Sequence, residues 1–242
     1  MDRVEFKMGD VVSIVGATGS GKTTLINDIE LFADGNTPSG RRVLFNGAPA
    51  PIEYRDDPSK NPVALITQHT TFLSDMPVEY FLTTHARVRG GAAEDAASLV
   101  QETINFANEL TGEPLVASLR MTELSGGQTR ALLIADAAII CSTPIVLLDE
   151  VENAGIHRTR AIELLRRYRK IFVFVTHDPR IALLSDARIV MSGGRMADFL
   201  VTDANERVFS AKVARLDDAL AGLRDHLRHG RRLAGTELDG VL

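Results

Sequence analysis

The stretch VVSIVGATGSGKTTLI at residues 11–26 constrains the fold of this chain more than any other, because an apolar run stops there at a glycine-rich loop. Gly16, Gly21, Lys22 and Thr23 satisfy the pattern G-x-x-x-x-G-K-[ST]. Glycines let successive backbone N–H groups curl around a polyphosphate, and a helix that begins at the loop adds the positive end of its dipole. The pattern therefore predicts a triphosphate cradle between a buried strand and a helix.

Two side chains of this loop have predicted roles of their own. Lys22 can reach the β- and γ-phosphates of a nucleotide, and the hydroxyl of Thr23 can ligate Mg²⁺. The residues predicted to bind nucleotide here are Gly16, Ala17, Thr18, Gly19, Ser20, Gly21, Lys22, Thr23 and Thr24.

The chain alternates short β-rich runs with longer helical patterns, which is typical of an α/β fold. The nearly all-apolar runs at 11–15, 144–150 and 170–177 predict central parallel strands that helices cover on both faces. Further strands are predicted at 42–47, 62–67 and 187–199, and an exposed loop at 51–62.

The strand pattern is interrupted in the middle of the chain. Between Phe72 and Thr122 the strand signals vanish, and alanine-rich helical patterns such as AAEDAASLVQETINFANEL replace them. We therefore predict a helical subdomain at about residues 72–135, inserted into the sheet domain.

An acidic pair follows the apolar run at 145–148. Asp149 and Glu150 stand at the carboxyl end of a predicted strand, where open α/β sheets bind ligands. A nucleoside triphosphatase needs a carboxylate near Mg²⁺ and a group that polarises the attacking water. Asp149 is therefore predicted to hold Mg²⁺, and Glu150 is predicted to polarise the attacking water. Alone, such a pair is usually a strand end that meets solvent, but beside the glycine loop it predicts catalysis.

A second glycine motif precedes the apolar helix pattern TRALLIADAAII. It reads LSGGQ at residues 124–128, where Ser125 is a predicted helix N-cap and Gly126 and Gly127 leave backbone N–H groups bare at the positive helix end. Such a terminus is either an ordinary cap or a receptor for an anion.

LSGGQ is the signature of the ATP-binding cassette (ABC) ATPases, and the chain resembles that family over roughly residues 4–200. Gln68, after the strand pattern VALIT, resembles the family's Q-loop glutamine, which contacts Mg²⁺ and senses the helical subdomain. His177, in FVTHD, resembles the switch histidine near the γ-phosphate. The resemblance implies the ABC ATPase fold over residues 1–203, a P-loop NTPase sheet domain with an inserted helical subdomain.

The resemblance also implies a mechanism and partners. Two cassettes would pair head to tail, each ATP lying between the glycine loop of one and the signature motif of the other. Catalytic roles fall to Glu150, His177 and Lys22, and Mg²⁺ ligation to Thr23, Gln68 and Asp149. The signature residues implied to contact the partner's nucleotide are Ser125, Gly126, Gly127 and Gln128.

The sequence departs from the family pattern in two places. It begins about where the family's N-terminal strand with its adenine-stacking aromatic residue would end, and Phe6 lies close to the glycine loop. After Glu150 the family usually has Pro-Thr or Pro-Ser, small residues and an aspartate, whereas residues 151–158 here read VENAGIHR, with His157 where that aspartate is expected.

Composition and charge limit the classes of partner. The longest apolar stretch, at 131–140, contains Asp136 and is too short to span a bilayer, and the N-terminal residues lack the apolar core of a signal peptide. We expect a cytoplasmic protein that reaches a membrane only through a partner. A net charge of −5 argues against a broad, sequence-independent grip on nucleic acid.

Residue types that commonly ligate metals are scattered. Cys141 is the single cysteine and has no metal-ligand spacing around it, so we expect a buried bystander. His226 and His229 lie one turn apart near the C-terminus, where a solvated helix face is favoured over a two-ligand site.

The segment 204–242 differs in composition and predicts an amphipathic C-terminal helix and tail. Its apolar stripe is Val213, Leu216, Leu220, Leu223 and Leu227. The stripe either docks on the chain's own ATPase domain or pairs with a partner.

Three functions fit these motifs. The first is the energy-coupling subunit of a membrane transporter, with an integral membrane permease bound near FLSDMPVEYFL, residues 72–82. The second is a soluble ABC ATPase that remodels a protein, a metallocofactor or a nucleic-acid complex. The third, a nucleotide sensor that hardly hydrolyses, is disfavoured by the intact set of Lys22, Asp149, Glu150 and His177.

Overall fold

The computed structural model describes residues 3–57, 60–89, 93–141, 143–150 and 158–232. In chain order, the described strands are β1 (Val11–Val15), β2 (Leu44–Phe45), β3 (Ala48–Pro49), β4 (Val63–Ile66), β5 (Ile145–Asp149), β6 (Ile171–Val175), β7 (Ala187–Ser192) and β8 (Arg195–Val201). The described helices are α1 (Lys22–Glu30), α2 (Glu53–Asp56), α3 (Val78–Val88), α4 (Ala93–Leu110), α5 (Gly126–Ile139), α6 (Arg158–Leu165), α7 (Pro179–Leu184) and α8 (Ala204–Arg228).

The main sheet has the strand order β4-β5-β6-β1-β7-β8. Its first five strands in that order run parallel, and β8 pairs antiparallel with β7. The strands predicted to be central, β1, β5 and β6, lie inside the sheet, because helical crossovers connect them and cover both faces. The predicted α/β class with a parallel sheet is confirmed.

Alternate residues of the central strands serve two apolar layers. On β5, Val146 and Leu148 face a layer built with α3 to α7, whereas Leu147 faces a layer that includes Leu25 and Ile26 of α1. The burial of both faces explains why the strand is almost purely apolar, since Val146, Leu147 and Leu148 are fully buried.

The run predicted as a strand at 42–47 does not join the main sheet. It forms the short hairpin of β2 and β3, with a turn at Asn46 and Gly47, where φ is 52° and 81°. Asn-Gly favours this tight hairpin turn, and the turn chemistry outweighs the strand pattern. The run at 187–199 divides in the same way at Gly193 and Gly194 into β7 and β8. The loop predicted at 51–62 contains the single-turn helix α2.

Helix α4 packs against both α3 and α5 through buried apolar residues such as Leu82, Ala107 and Leu132. Helices α3 and α4 lie within the predicted helical subdomain at 72–135, and α5 begins within it and ends four residues beyond it, at Ile139. The subdomain boundaries stay a prediction.

A polar cluster ties α3 to α5. Nδ1 of His85 lies 2.8 Å from Oδ1 of Asp136, and the hydrogen bond to Asp136, with a further one to Cys141, raises the pKa of His85 to about 10 against the effect of burial. Cys141 follows α5 and its Sγ lies 3.7 Å from Oδ2 of Asp136. The prediction that Cys141 is buried is therefore wrong, because the residue is only half-buried. That it is a bystander stays a prediction.

The C-terminal helix α8 docks on the domain through ion pairs. Nη1 of Arg180, on α7, binds Asp217 at 2.9 Å, and Arg188 pairs with Glu206. The apolar stripe is only partly covered: Val213 and Leu223 are half-buried, whereas Leu216, Leu220 and Leu227 are 41%, 48% and 60% exposed. The helix thus docks on its own chain and still presents an apolar edge to solvent. The boundary at residues 203/204 stays a prediction.

Within the described ranges, no helix combines the length and the apolar character that crossing a membrane requires.

Candidate functional site

The glycine loop adopts a backbone that only glycine accepts readily at three positions. Gly16, Gly19 and Gly21 have φ values of 149°, 78° and 95°. A Cβ on Gly16 would lie 2.4 Å from the carbonyl oxygen of Met191, so the β7 backbone also forbids a side chain there. Glycine is therefore required at Gly16 by the backbone conformation and by close packing together.

Lys22 begins α1 and folds back over the loop. Its Nζ donates to the carbonyl oxygens of Gly16 at 2.9 Å and Ala17 at 3.2 Å, and the residue is 7% exposed. The ammonium is thus held at the mouth of the loop, where the sequence predicts phosphate.

The hydroxyl groups of the loop are placed differently from one another. Thr18, Thr23 and Thr24 are exposed, as is Ala17. Ser20 is buried, and its Oγ has no hydrogen-bond partner among the described residues. A buried hydroxyl without a partner is expected where a polar ligand or water completes the site.

The sheet topology brings the other predicted residues to the same edge. Strands β4, β5, β6 and β1 are parallel neighbours, so their carboxyl ends lie side by side. The residues that follow them are Gln68 after β4, Asp149 and Glu150 at β5, His177 after β6, and the glycine loop after β1. This edge is where parallel α/β sheets bind ligands.

Glu150 and His177 are in direct contact. Oε1 of Glu150 lies 3.2 Å from Nε2 of His177. Glu150 has φ of 50°, a left-handed conformation, and its N–H donates to the carbonyl oxygen of Val175 at 3.0 Å. Left-handed non-glycine residues cost about 1–3 kcal/mol and cluster at functional sites. The strained backbone therefore supports a catalytic role for this carboxylate.

Gln68 is exposed and is tied to α5 by a residue that the sequence analysis missed. The side-chain nitrogen of Gln68 lies 3.1 Å from Nε2 of His69. The main-chain carbonyl oxygen of Gln68 accepts a hydrogen bond from Nη2 of Arg130. Nε and Nη1 of Arg130 are buried without a partner among the described residues, and burial lowers the pKa of the guanidinium. Its position two residues after the signature was the only signal in the sequence.

The signature motif forms the predicted cap of α5. Oγ of Ser125 accepts from the N–H of Gln128 at 3.2 Å, and Oε1 of Gln128 accepts from the N–H of Ser125 at 3.0 Å. The Gln128 amide also donates to the carbonyl oxygen of Pro114 at 2.9 Å. This capping box fixes the start of the helix and leaves Gly126 exposed in front of it. Contact of these residues with a nucleotide stays a prediction.

The donor atoms at the sheet edge fit Mg²⁺. Thr23, Gln68 and Asp149 offer a hydroxyl, an amide oxygen and a carboxylate, which are the oxygen ligands this hard cation prefers. One carboxylate with a nucleotide's own phosphates is a usual Mg²⁺ set.

The two departures from the family pattern have different outcomes. Phe6 is half-buried and packs against the apolar layer that contains Val12 and Ile14. Its side chain is thus part of the core. Residues 151–157, including His157, lie outside the described residues, so the altered loop after Glu150 is untested.

Comparison with known proteins identifies the family. The model of the ABC transporter family matches residues 2–153. An uncharacterized ABC transporter ATP-binding protein of Methanocaldococcus jannaschii is 47% identical, over 97% of this chain and 89% of that protein. The ATP-dependent lipid A-core flippase of Burkholderia orbicola is 30% identical over 82% of this chain, which spans only 33% of the flippase.

Solved structures share the fold. A dimeric ATP-binding cassette in a post-hydrolysis state with ADP and Pi has a TM-score of 0.65 at 22% identity, covering 83% of this chain and 89% of that one. The cbiO1 protein of Clostridium perfringens, part of the ABC transporter complex cbiONQ, has a TM-score of 0.65 at 20% identity, covering 93% of this chain and 90% of that one.

The family match spans more than half of the chain, and the 47% identical archaeal relative spans nearly all of it. The motifs and the fold therefore have one explanation: this protein belongs to the ABC transporter ATP-binding family and is an ABC-type ATPase.

Proposed function

We propose that this protein binds Mg·ATP at the carboxyl edge of its sheet, hydrolyses it as a head-to-tail cassette dimer, and drives an ABC transporter as its ATP-binding subunit. The observation that carries the proposal is the contact of Glu150 with His177 at the sheet edge that also bears the glycine loop. Asp149 ends the same strand as Glu150, and Gln68 follows the neighbouring strand β4.

Each residue has a physical task in this proposal. Backbone N–H groups of the loop and the Lys22 ammonium bind the phosphates, which offsets charge that would otherwise repel an attacking water. Thr23, Asp149 and Gln68 would hold Mg²⁺, which supplies Lewis-acid charge neutralisation when bound. Glu150 orients and polarises the water for in-line attack. Nε2 of His177 lies 3.2 Å from Oε1 of Glu150 and orients this carboxylate. His177 would also donate a hydrogen bond to the γ-phosphate.

The dimer follows from what one protomer offers. The N-terminus of α5 presents Gly126 to solvent with its cap already closed, so it is a ready anion-binding surface for a nucleotide held by another protomer. Dimeric cassettes among the structural neighbours support this assembly in general. ATP would join the protomers, and hydrolysis would release them.

An exposed surface after Gln68 supports a membrane partner. Leu73, Met76 and Tyr80 are 100%, 44% and 61% exposed. The segment that carries them is held in place, because Nη1 of Arg120 donates to the carbonyl and carboxylate oxygens of Asp75 at 2.8 Å each. Apolar side chains on a fixed surface segment mark a protein contact. The permease subunit is proposed to bind there.

Substitution of the proposed water-activating carboxylate tests the enzyme. In Glu150→Gln we expect ATP turnover to fall at least a hundredfold, about 2.7 kcal/mol, because the amide cannot polarise water as the carboxylate does. ATP binding should persist and the ATP-bound dimer should accumulate in sedimentation. Glu113→Gln, on an exposed loop, is the matched control and should keep full turnover. Unchanged turnover in Glu150→Gln would remove this residue from its role.

The alternative is a soluble ABC ATPase that remodels a protein, metallocofactor or nucleic-acid complex, and the uncovered apolar edge of α8 favours it as a place for a soluble partner. Affinity purification from detergent-solubilised native membranes separates the two. The transporter proposal expects an integral membrane protein in stoichiometric amount, and loss of that protein when Leu73 and Tyr80 are replaced by serine. Recovery of soluble partners alone would establish the alternative instead.

A further inference from the structure

The side chains of His85, Asp136 and Cys141 meet near the C-terminal ends of α3 and α5. One ligand-type atom from each lies within 4.8 Å of the others. Cys141 follows Asp136 by only five residues, whereas His85 lies 51 residues before Asp136 and meets it only because α3 and α5 both pack on α4. In the part of the chain that the structure describes, this is the one such group.

The donor set suits a particular kind of cation. Imidazole, carboxylate and thiolate together are ligands of Zn²⁺, and a site with three protein ligands keeps a fourth position for water. A tetrahedral Zn²⁺ holds its donors about 3.3–3.6 Å apart. The observed separations are 2.8 Å between Nδ1 of His85 and Oδ1 of Asp136, and 3.7 Å from Sγ of Cys141 to Oδ2 of Asp136. The three ligand atoms all lie within 4.8 Å of one another, so side-chain shifts of about 1 Å would bring them to these distances.

An ion can reach these atoms from solvent. The side chains of His85 and Asp136 are 21% and 11% exposed, and Cys141 is half-exposed. Partial burial holds the three side chains in place, and their partial exposure lets an ion and a water ligand enter and leave.

We propose that His85, Asp136 and Cys141 form a zinc-binding site that links α3 to α5. Binding exchanges two protons, one from the imidazolium and one from the thiol, for one divalent cation. The ligands then carry two negative charges against the two positive charges of the ion. The net charge of the cluster is the same before and after, so the exchange creates no uncompensated charge in a half-buried place.

Two cations next to the cluster set a limit on affinity. Nζ of Lys170 donates to the carbonyl oxygens of Ala137 at 2.6 Å and Cys141 at 2.5 Å, and Nε of Arg89 lies 3.4 Å from Nε2 of His85. Lys170 is directed at carbonyls and leaves the donor atoms accessible, but its charge opposes a divalent ion. The site is therefore weaker than a structural zinc centre with four ligands and no cation beside it.

The site would act on the helices that carry the nucleotide machinery. The α3 helix follows the segment after Gln68, and α5 begins at the signature motif. An ion bound to both would join them near their C-terminal ends in place of the present His85–Asp136 ion pair, because Nδ1 of His85 gives up its proton when it ligates the ion. Zinc is thus expected to raise the melting temperature of the protein.

Cobalt(II) titration of the full chain, with a phosphine as reductant, tests the proposal directly. Because Cys141 is the only cysteine, a thiolate-to-cobalt charge-transfer band in the near ultraviolet reports this site alone. We expect the band to saturate at one equivalent, to vanish on addition of Zn²⁺, and to be absent in Cys141→Ser. His85→Gln and Asp136→Asn should each weaken cobalt binding at least tenfold.

Matched controls and a test on the unaltered protein complete the experiment. His229→Gln and Lys22→Ala should keep the band, the second because the site does not depend on nucleotide binding. If the ligand variants do not fold, protection answers the same question in the wild type, where Zn²⁺ should slow alkylation of Cys141 by iodoacetamide at least tenfold. Absence of the band at millimolar cobalt, or unchanged cobalt affinity in folded His85→Gln and Asp136→Asn, would overturn the proposal. Alkylation of Cys141 at the same rate with and without Zn²⁺ would also overturn it.

Discussion

The two helix starts that carry glycine motifs are completed in opposite ways. Gly21 caps α1 with φ of 95° and no side-chain hydrogen bond, whereas Ser125 caps α5 through a reciprocal capping box with Gln128. The first four N–H groups of any helix lack intrahelical partners. At the start of α1 no side chain caps these N–H groups, and the loop depends on glycines at positive φ and on Lys22. The start of α5 satisfies two of its donors from its own side chains.

The difference shows how one fold assigns nucleotide binding and the assembly of two protomers to separate helix starts. The glycine loop is shaped by its surroundings, since β7 lies against Gly16. The signature start is shaped by its own side chains, and open space surrounds Gly126. We therefore expect substitutions in the first region to reduce stability or nucleotide affinity. In the second region we expect loss of the cap at Ser125 to reduce stability slightly, and substitution of Gly126 to weaken only the contact between protomers.

The largest effect is expected for Gly16→Ala. The new Cβ would lie 2.4 Å from the carbonyl oxygen of Met191, so we expect the free energy of unfolding to fall by about 3 kcal/mol in urea denaturation. Gly19→Ala is the matched control, because its φ of 78° is also unfavourable but nothing lies within 4 Å. It should cost about 1 kcal/mol. Equal costs would show that conformation, rather than contact with β7, determines the loop.

Lys22→Ala comes next. Among the described residues its ammonium donates to the carbonyl oxygens of Gly16 and Ala17, so the free energy of unfolding should change little. Loss of charge at the phosphates should weaken ATP binding at least a hundredfold in calorimetry, about 2.7 kcal/mol. The exposed Lys60→Ala is the control and should bind ATP as the wild type does. Equally tight binding by Lys22→Ala would disprove the phosphate cradle.

Ser125→Ala should have a smaller effect. Removal of the cap hydroxyl leaves the Gln128 N–H without its acceptor and should reduce the free energy of unfolding by about 1 kcal/mol. Ser98→Ala, on the exposed face of α4, removes a hydroxyl that caps no helix and should be neutral or slightly stabilising. A cost in Ser125→Ala no greater than in Ser98→Ala would mean that the capping box contributes nothing in solution.

Gly126→Ala should leave stability almost unchanged, within about 0.5 kcal/mol, because open space surrounds the new methyl group and alanine favours helix. Turnover per protomer should nevertheless fall at least tenfold at protein concentrations that support the wild-type dimer, since the methyl group would meet the partner's nucleotide. Normal turnover would argue against the head-to-tail arrangement and would leave the start of α5 as an ordinary helix cap.

Much of the fold could be predicted because its signals are local. The apolar runs of β1, β5 and β6 predict buried parallel strands, and Ser125 with Gln128 three residues later predicts a helix start. The failures were places where a short-range preference won over the pattern. Asn46-Gly47 folded a predicted strand into a hairpin, and Gly193-Gly194 divided another.

The sequence by itself determined which groups are present and in what order: a glycine loop that can bind phosphate, a capped signature helix, and the acids and histidine at strand ends. Only the tertiary structure decided which of them touch. Strand order placed Glu150 beside His177, and packing of α3 and α5 on α4 joined His85, Asp136 and Cys141. Spacing along a chain fixes local geometry, whereas contacts between distant residues depend on how strands and helices pack, and no residue encodes that alone.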